Sequence, residues 1–208
     1  MADRNTLILV DNGHGNNTPG KRSPDGKLIE ASYTREIASK VVLELKRLGY
    51  EADLLTPELY DVALLERVHR VNVKCQSRGR ENVICVSIHC NAAGLGNEWS
   101  SATGWEIWTS YGRTDSDTLA DRFIESAKMN FDGRKIREWK KEDGERDKEA
   151  GFTILKNTLC PAVITENFFM DNKNDVKYML SVEGRSAIIR CHVDAIVSFI
   201  EPKCNNKM

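Results

Sequence analysis

The 208-residue chain has no apolar run long enough to cross a bilayer, no Cys-x-x-Cys pair and no excess of either charge. A membrane-spanning helix needs roughly 20 consecutive apolar residues, so no such helix is expected. Thirty Lys and Arg stand against 31 Asp and Glu, a formal net charge of −1, which argues against the basic surface of a nucleic-acid binder. The six cysteines (Cys75, Cys85, Cys90, Cys160, Cys191 and Cys204) are scattered, which excludes a cysteine zinc knuckle. Most read as small core residues of a reducing compartment. Pro/Gly/Ser-rich bridges, internal repeats and low-complexity tracts are also missing. One domain over residues 1–208 is therefore expected, with its core at about 6–200 and no separate binding module. The first residues, Met1-Ala2-Asp3-Arg4-Asn5, have neither the basic start nor the apolar core of a secretory signal. No pattern speaks to oligomeric state.

What is present is a regular alternation. Residues 6–11, 50–55, 83–88, 105–109 and 161–165 read as short apolar, β-branched strands. Residues 31–48 predict a helix, with Ile37, Val41, Leu45 and Leu48 at helical spacing and Gly49 closing it. Further helices are predicted over 61–78 (Leu64, Leu65, Val68, Val71 and Cys75 on one side), 115–130, 174–180 and 183–200. Such alternation implies an α/β fold: a single layered domain with a twisted, mixed but mostly parallel sheet and helices on both faces. The stretch 132–150 is almost entirely charged. It reads either as a solvated loop or exposed helix, or as a flap beside the site with Trp139 touching substrate.

Histidine is scarce, four in all, and two of the four follow apolar runs: Leu9-Val10-Asp11-Asn12-Gly13-His14-Gly15 and Val86-Ser87-Ile88-His89-Cys90-Asn91-Ala92. Both fall where a strand stops. Ligands of open α/β sheets bind beyond the carboxyl ends of strands, so His14 and His89 are candidates to converge on one metal ion. A catalytic zinc usually takes three protein ligands and leaves one position open. Glu30, at the mouth of the first helix, is the candidate third ligand, and Gly13, Gly15 and Gly20 give the preceding loop freedom to approach an ion. Glu166 follows another buried run, Ala162-Val163-Ile164-Thr165. A carboxylate there is costly unless paired or put to use, and beside a metal site it is a candidate general base. His69 reads as solvent-facing and His192 as structural. Cys90 adjoins the candidate site.

The runs Val10-Asp11-Asn12-Gly13-His14-Gly15, Glu30, Ser87-Ile88-His89-Cys90-Asn91-Ala92 and Pro161 through Asn172 occur in an order that resembles the zinc-dependent N-acetylmuramoyl-L-alanine amidases (type 3) of bacterial cell-wall lysis. Leu65-Glu66-Arg67 with Asn72, and Gly104-Trp105-Glu106, support the resemblance, which spans about Thr6 to Ile200. It implies a single zinc ion on His14, Glu30 and His89, Glu166 as catalytic acid/base, and peptidoglycan or a muropeptide as substrate. Asn91 and Asn167 are expected substrate-binding residues or supports of the metal ligands. Asn12, Pro57 and Cys90 depart from the family's usual residues. Two other readings stand beside the amidase: a zinc carboxypeptidase or deacetylase on a similar scaffold, and a non-catalytic wall-binding module. For location, the expectation is action on the cell wall after lysin-type release from a phage or prophage, or after loss of a leader. The alternative is wall-fragment recycling in the cytoplasm.

Overall fold

A computed structural model describes residues 5–94, 97–139 and 146–201. Cys204 and positions 140–145 of the charged stretch lie outside the described residues. The elements run β1 (Leu7–Asn12), α1 (Glu30–Arg47), β2 (Glu51–Leu54), α2 (Leu64–Arg78), β3 (Val83–Asn91), β4 (Glu106–Thr109), α3 (Asp115–Asn130), β5 (Lys148–Glu149), α4 (Thr153–Asn157), β6 (Ala162–Phe169), α5 (Lys173–Leu180) and α6 (Val182–Ile200). They build one six-stranded sheet of order β2-β1-β3-β6-β4-β5. The pairs β1/β2, β1/β3 and β3/β6 are parallel, β4 runs antiparallel to β6, and β5 is parallel to β4. The mixed, mostly parallel sheet with helices on both faces is the expected architecture. Among the described residues no helix is long and apolar enough to cross a membrane.

Side chains alternate across a strand, and here the alternation assigns two cores. Ile8, Val10, Ile84, Val86, Ile88, Ile107 and Val163 pack with α1, α3, α5 and α6. Leu7, Leu9, Val83, Cys85, Ala162 and Ile164 face the other way, against Val71 and Cys75 of α2 and Ile154 and Leu155 of α4. The apolar stripe of α1, Ile37, Val41 and Leu45, is completely buried, each side chain stabilising the fold by roughly 1.5–3 kcal/mol. His192, buried in α6, is structural as expected. Its Nδ1 lies 2.8 Å from the Ile188 carbonyl oxygen and its Nε2 2.9 Å from Thr165 Oγ1.

The second face carries the chemistry. Continuing the phase of Leu7 and Leu9 places Asp11 on it, that of Cys85 places Ser87 and His89, and that of Ile164 places Glu166. Here α2 and α4 cover only part of the sheet, and the polar residues lie beyond their apolar layer.

Several boundaries differ from expectation. Helix α2 starts at Leu64, not at 61, and Leu64 and Leu65 are exposed. Arg67 takes the inward position instead, drawn to Asp11 and to the Val62 carbonyl. Strands β3 and β6 run on to Asn91 and Phe169 because they pair with each other there, with a register irregularity between His89 and Asn91. His89 and Glu166 are therefore late strand residues, not loop residues. Trp105 precedes β4 and is fully buried, bridged to Ile136. The described parts of 132–150 are not helical. They supply β5 and one buried acid, Asp147, which accepts a hydrogen bond from Thr109 Oγ1 (2.6 Å).

Candidate metal centre and catalytic site

His14, two residues beyond β1, has φ 61°. A non-glycine residue in the left-handed region is strained, and such strain collects at functional sites. The turn is tied down from several sides. Gly13 N donates to the Ile88 carbonyl (2.8 Å), Thr34 Oγ1 to the Gly13 carbonyl (3.2 Å) and Gly15 N to Thr18 Oγ1 (3.1 Å), while Thr18 Oγ1 donates to Asp61 Oδ2 (2.7 Å). The two glycines flanking His14 are needed for space. A Cβ on Gly13 would lie 2.6 Å from His89 Nδ1, and one on Gly15 would lie 2.0 Å from the Asp61 backbone nitrogen. Gly13→Ala is therefore expected to displace the His89 ring. We expect about a 10–100-fold loss of metal affinity, the range seen when the support of a ligand is removed. Titration against a competing chelator measures it, and unchanged affinity would show that the imidazole is not seated on this turn.

Glu30 opens α1, where the helix dipole favours a carboxylate. It is buried, with 1 % exposure. Oε1 accepts from Cys90 N (2.9 Å) and lies 3.3 Å from His89 Nδ1; Oε2 lies 3.5 Å from His14 Nε2 and has no hydrogen-bond partner among the described residues. The two imidazoles stand nearly perpendicular, centroids 5.1 Å apart. The ligand atoms of His14, Glu30 and His89 all lie within 4.8 Å of one another. Two imidazoles and a carboxylate form the donor set of a three-ligand zinc site, and the orphaned buried Oε2 is an atom that a cation would satisfy. The residues therefore fit the metal that the sequence implied.

Protonation agrees. Burial, aided by His89 and Lys21 and opposed by Glu30, holds His14 down at about 4, so at neutral pH it carries a free lone pair. Burial would raise Glu30, but hydrogen bonding and charge from His89, with help from His14 and Cys90 N–H, keep it below its ordinary value. His89 moves up: burial opposes this, and the Glu30 hydrogen bond and the Glu166 charge outweigh it.

Glu166 is the register partner of His89 on β6. Its Oε2 is buried without a hydrogen-bond partner among the described residues. Burial pushes the carboxyl up to about 8; His89 opposes this, and Glu30 and Glu106 add to it. His14, His89 and Glu166 line one cavity of about 500 Å³, together with Lys21, Arg67 and Phe152. A larger cavity, about 870 Å³ between Arg80, Arg113 and Pro161, contains none of the candidate site residues.

Neither asparagine lines the cavity shared by His14, His89 and Glu166. Asn91 Nδ2 donates to Glu106 Oε1 (2.8 Å). Asn167 is fully buried; its Nδ2 donates to the His89 carbonyl (3.1 Å) and its Oδ1 accepts from Trp105 Nε1 (3.2 Å). Asn167 thus supports the backbone of a metal-ligand candidate. Cys90 contributes its backbone N–H. Its thiol packs in the opposite core, where burial pushes it well above the ordinary value. Sequence reasoning missed Asp11 and Ser87 as a polar support on the cavity wall, and gave Arg67 no role there. Ser87 Oγ and Arg67 Nη1 both donate to Asp11 (2.7 and 2.6 Å). The available signal was the two-residue phase from Leu9 to Asp11 and from Cys85 to Ser87.

His14 beyond β1, Glu30 at the start of α1 and His89 late on β3 gather at one end of the parallel strands, and the buried Glu166 carboxyl shares a cavity with both histidines, an arrangement suited to hydrolysis. Residues 8–198 match the family model described as N-acetylmuramoyl-L-alanine amidase, and the chain belongs to that family. By class it is an amide-hydrolysing enzyme. It is 26 % identical over 204 residues to the endolysin of Bacillus phage SPP1, covering 95 % of this chain and 67 % of the endolysin. It is 29 % identical over 196 residues to the amidase CwlM of Bacillus licheniformis, covering 91 % and 66 %. The chain thus spans about two thirds of these relatives. The solved catalytic domain of CwlV from Bacillus (Paenibacillus) polymyxa var. colistinus superposes with TM-score 0.77 at 21 % identity, covering 94 % of this chain and 98 % of that one. The amidase from Clostridium difficile 630 gives 0.79 at 21 %, covering 95 % and 98 %. At that identity the structures speak for the fold.

Proposed function

We propose that the chain hydrolyses the amide bond between the lactyl group of N-acetylmuramic acid and L-alanine of peptidoglycan stem peptides, with one zinc ion held by His14, Glu30 and His89. The observation that carries this is the unpartnered, buried Oε2 of Glu166 beside a cavity that also receives the two candidate ligand histidines. A zinc ion held there would supply Lewis acidity and lower the pKa of a bound water. Glu166 takes the proton of the attacking water at its carboxylate and returns it to the leaving alanine nitrogen. Burial of that carboxyl favours its protonated form, which suits the second half of this exchange. Glu30, itself held by the Cys90 N–H, fixes the His89 ring, and Asn167 fixes the backbone behind it. Action on the wall after lysin-type release is the location that the endolysin relative supports.

Incubation with purified peptidoglycan, with and without a chelator, followed by mass spectrometry of the products, tests the proposal. New L-alanine amino termini that vanish with chelation are expected. Release of acetate or of a carboxy-terminal residue would point to a deacetylase or carboxypeptidase. Tight binding without new termini would point to a wall-binding module. His14→Ala is expected to lose bound zinc by elemental analysis; full retention would remove it from the ligand set.

A further inference from the structure

On the edge of the sheet beside the site, two of the chain's four tryptophans come together. Trp108, Tyr111, Trp139, Lys148 and Glu149 line a shallow cavity of about 400 Å³. Tyr111 is 70 % and Trp139 52 % exposed. Large aromatic side chains left in water side by side mark contact surfaces. This ledge is pinned in place. Trp139 N donates to the Arg146 carbonyl (2.7 Å), Arg146 pairs with Asp121 (2.8 Å) and Glu125 of α3, and Ala150 N donates to the Thr109 carbonyl (3.1 Å). Lys148 Nζ lies 5.0 Å from the Trp108 ring centroid and 2.6 Å from Glu106 Oε2.

The ledge adjoins one wall of the catalytic cavity. Gly151 and Phe152 line that cavity, Phe152 meets Trp108 edge-on at 5.5 Å between centroids, and a Cβ on Gly151 would lie 3.5 Å from the Tyr111 ring. In the antiparallel pair, Glu166 opposes Glu106 and Ile164 opposes Trp108. Glu166 and Trp108 are therefore diagonal neighbours on one sheet face, with Cα atoms roughly 7–8 Å apart.

Resting on the amidase reading above, we propose that this ledge binds the glycan strand of the substrate, stacking N-acetylated hexosamine rings on Tyr111, Trp139 and Trp108. Pyranose rings present apolar C–H faces and polar rims. A row of aromatic faces edged by a lysine and a glutamate matches both. The glycan strand must leave the catalytic cavity across one of its walls, and the Gly151–Phe152 wall borders the ledge.

The test uses the N-acetylglucosamine tetramer and peptide-free glycan strands as probes, so binding is read without hydrolysis. Titration of the parent is expected to shift tryptophan fluorescence and the indole N–H signals of Trp108 and Trp139. Tyr111→Ala and Trp139→Ala, both at exposed positions that should fold normally, are each expected to weaken that binding about tenfold, which corresponds to about 1.4 kcal/mol. With intact wall, KM is expected to rise by a similar factor and kcat to change little. Failure of both saccharides to bind, or equal binding by parent and variants, would overturn the ledge. So would a concentration-dependent dimer of the parent that Trp139→Ala abolishes, since a second copy would then be the occupant. Saccharide binding without new L-alanine termini would leave the ledge standing and the amidase reading refuted.

Discussion

Glu166→Gln is expected to fold and bind metal like the parent while hydrolysing peptidoglycan about 10²–10⁴-fold more slowly, the usual contribution of a positioned acid/base. The substitution is nearly isosteric, and the parent carboxyl is already driven toward its neutral form by burial. An amide in its place changes neither volume nor charge much at neutral pH, so stability should move little. What disappears is the capacity to take and return a proton at an oxygen, Oε2, that accepts no hydrogen bond from the described residues. The measurement pairs wall-lysis rates with metal content by elemental analysis. A Gln variant as active as the parent would move the acid/base role elsewhere.

Arg67→Met is expected to lower folding stability by about 3–5 kcal/mol, the cost of breaking a buried ion pair from one side. Arg67 and Asp11 are 2 % and 1 % exposed. Arg67 Nη1 donates to Asp11 Oδ1 and to the Asn12 carbonyl, both at 2.6 Å, Nε to the Val62 carbonyl (2.9 Å) and Nη2 to Asp61 Oδ1 (3.1 Å). Without the guanidinium, Asp11 keeps only the hydroxyls of Thr56 and Ser87. A native domain is stable by only about 5–15 kcal/mol in total, so the loss should appear as a large drop in the urea midpoint. Asp61 also anchors Thr18 beside His14, so metal affinity should fall as well. Arg67→Lys keeps the charge but not the fork and should fall between. A Met variant within about 1 kcal/mol of the parent would show that the pair carries little of the stability.

The sequence by itself determined strands at 6–11 and 83–88, which the structure extends to Asn12 and Asn91, together with the α/β class and the candidate set His14, Glu30, His89 and Glu166. Each of those readings rests on local pattern: runs of β-branched residues make strands, 3.6-residue spacing makes helices, and a polar residue ending an apolar run is exposed to a crevice. Local pattern carries no strand direction, which is why the antiparallel placement of β4 came only from the structure. Strand β5 and helix α4, with two and five residues, are too short to register as periodic. The exposed Leu64 and Leu65 mimicked a core stripe because spacing alone cannot say that Arg67 would be pulled inward by an aspartate 56 positions away. The same holds for the burial of the Glu166 carboxyl, the supporting role of Asn167 and the gathering of Trp108, Tyr111 and Trp139. All depend on sheet order and register, and those are decided by how distant segments pack against one another.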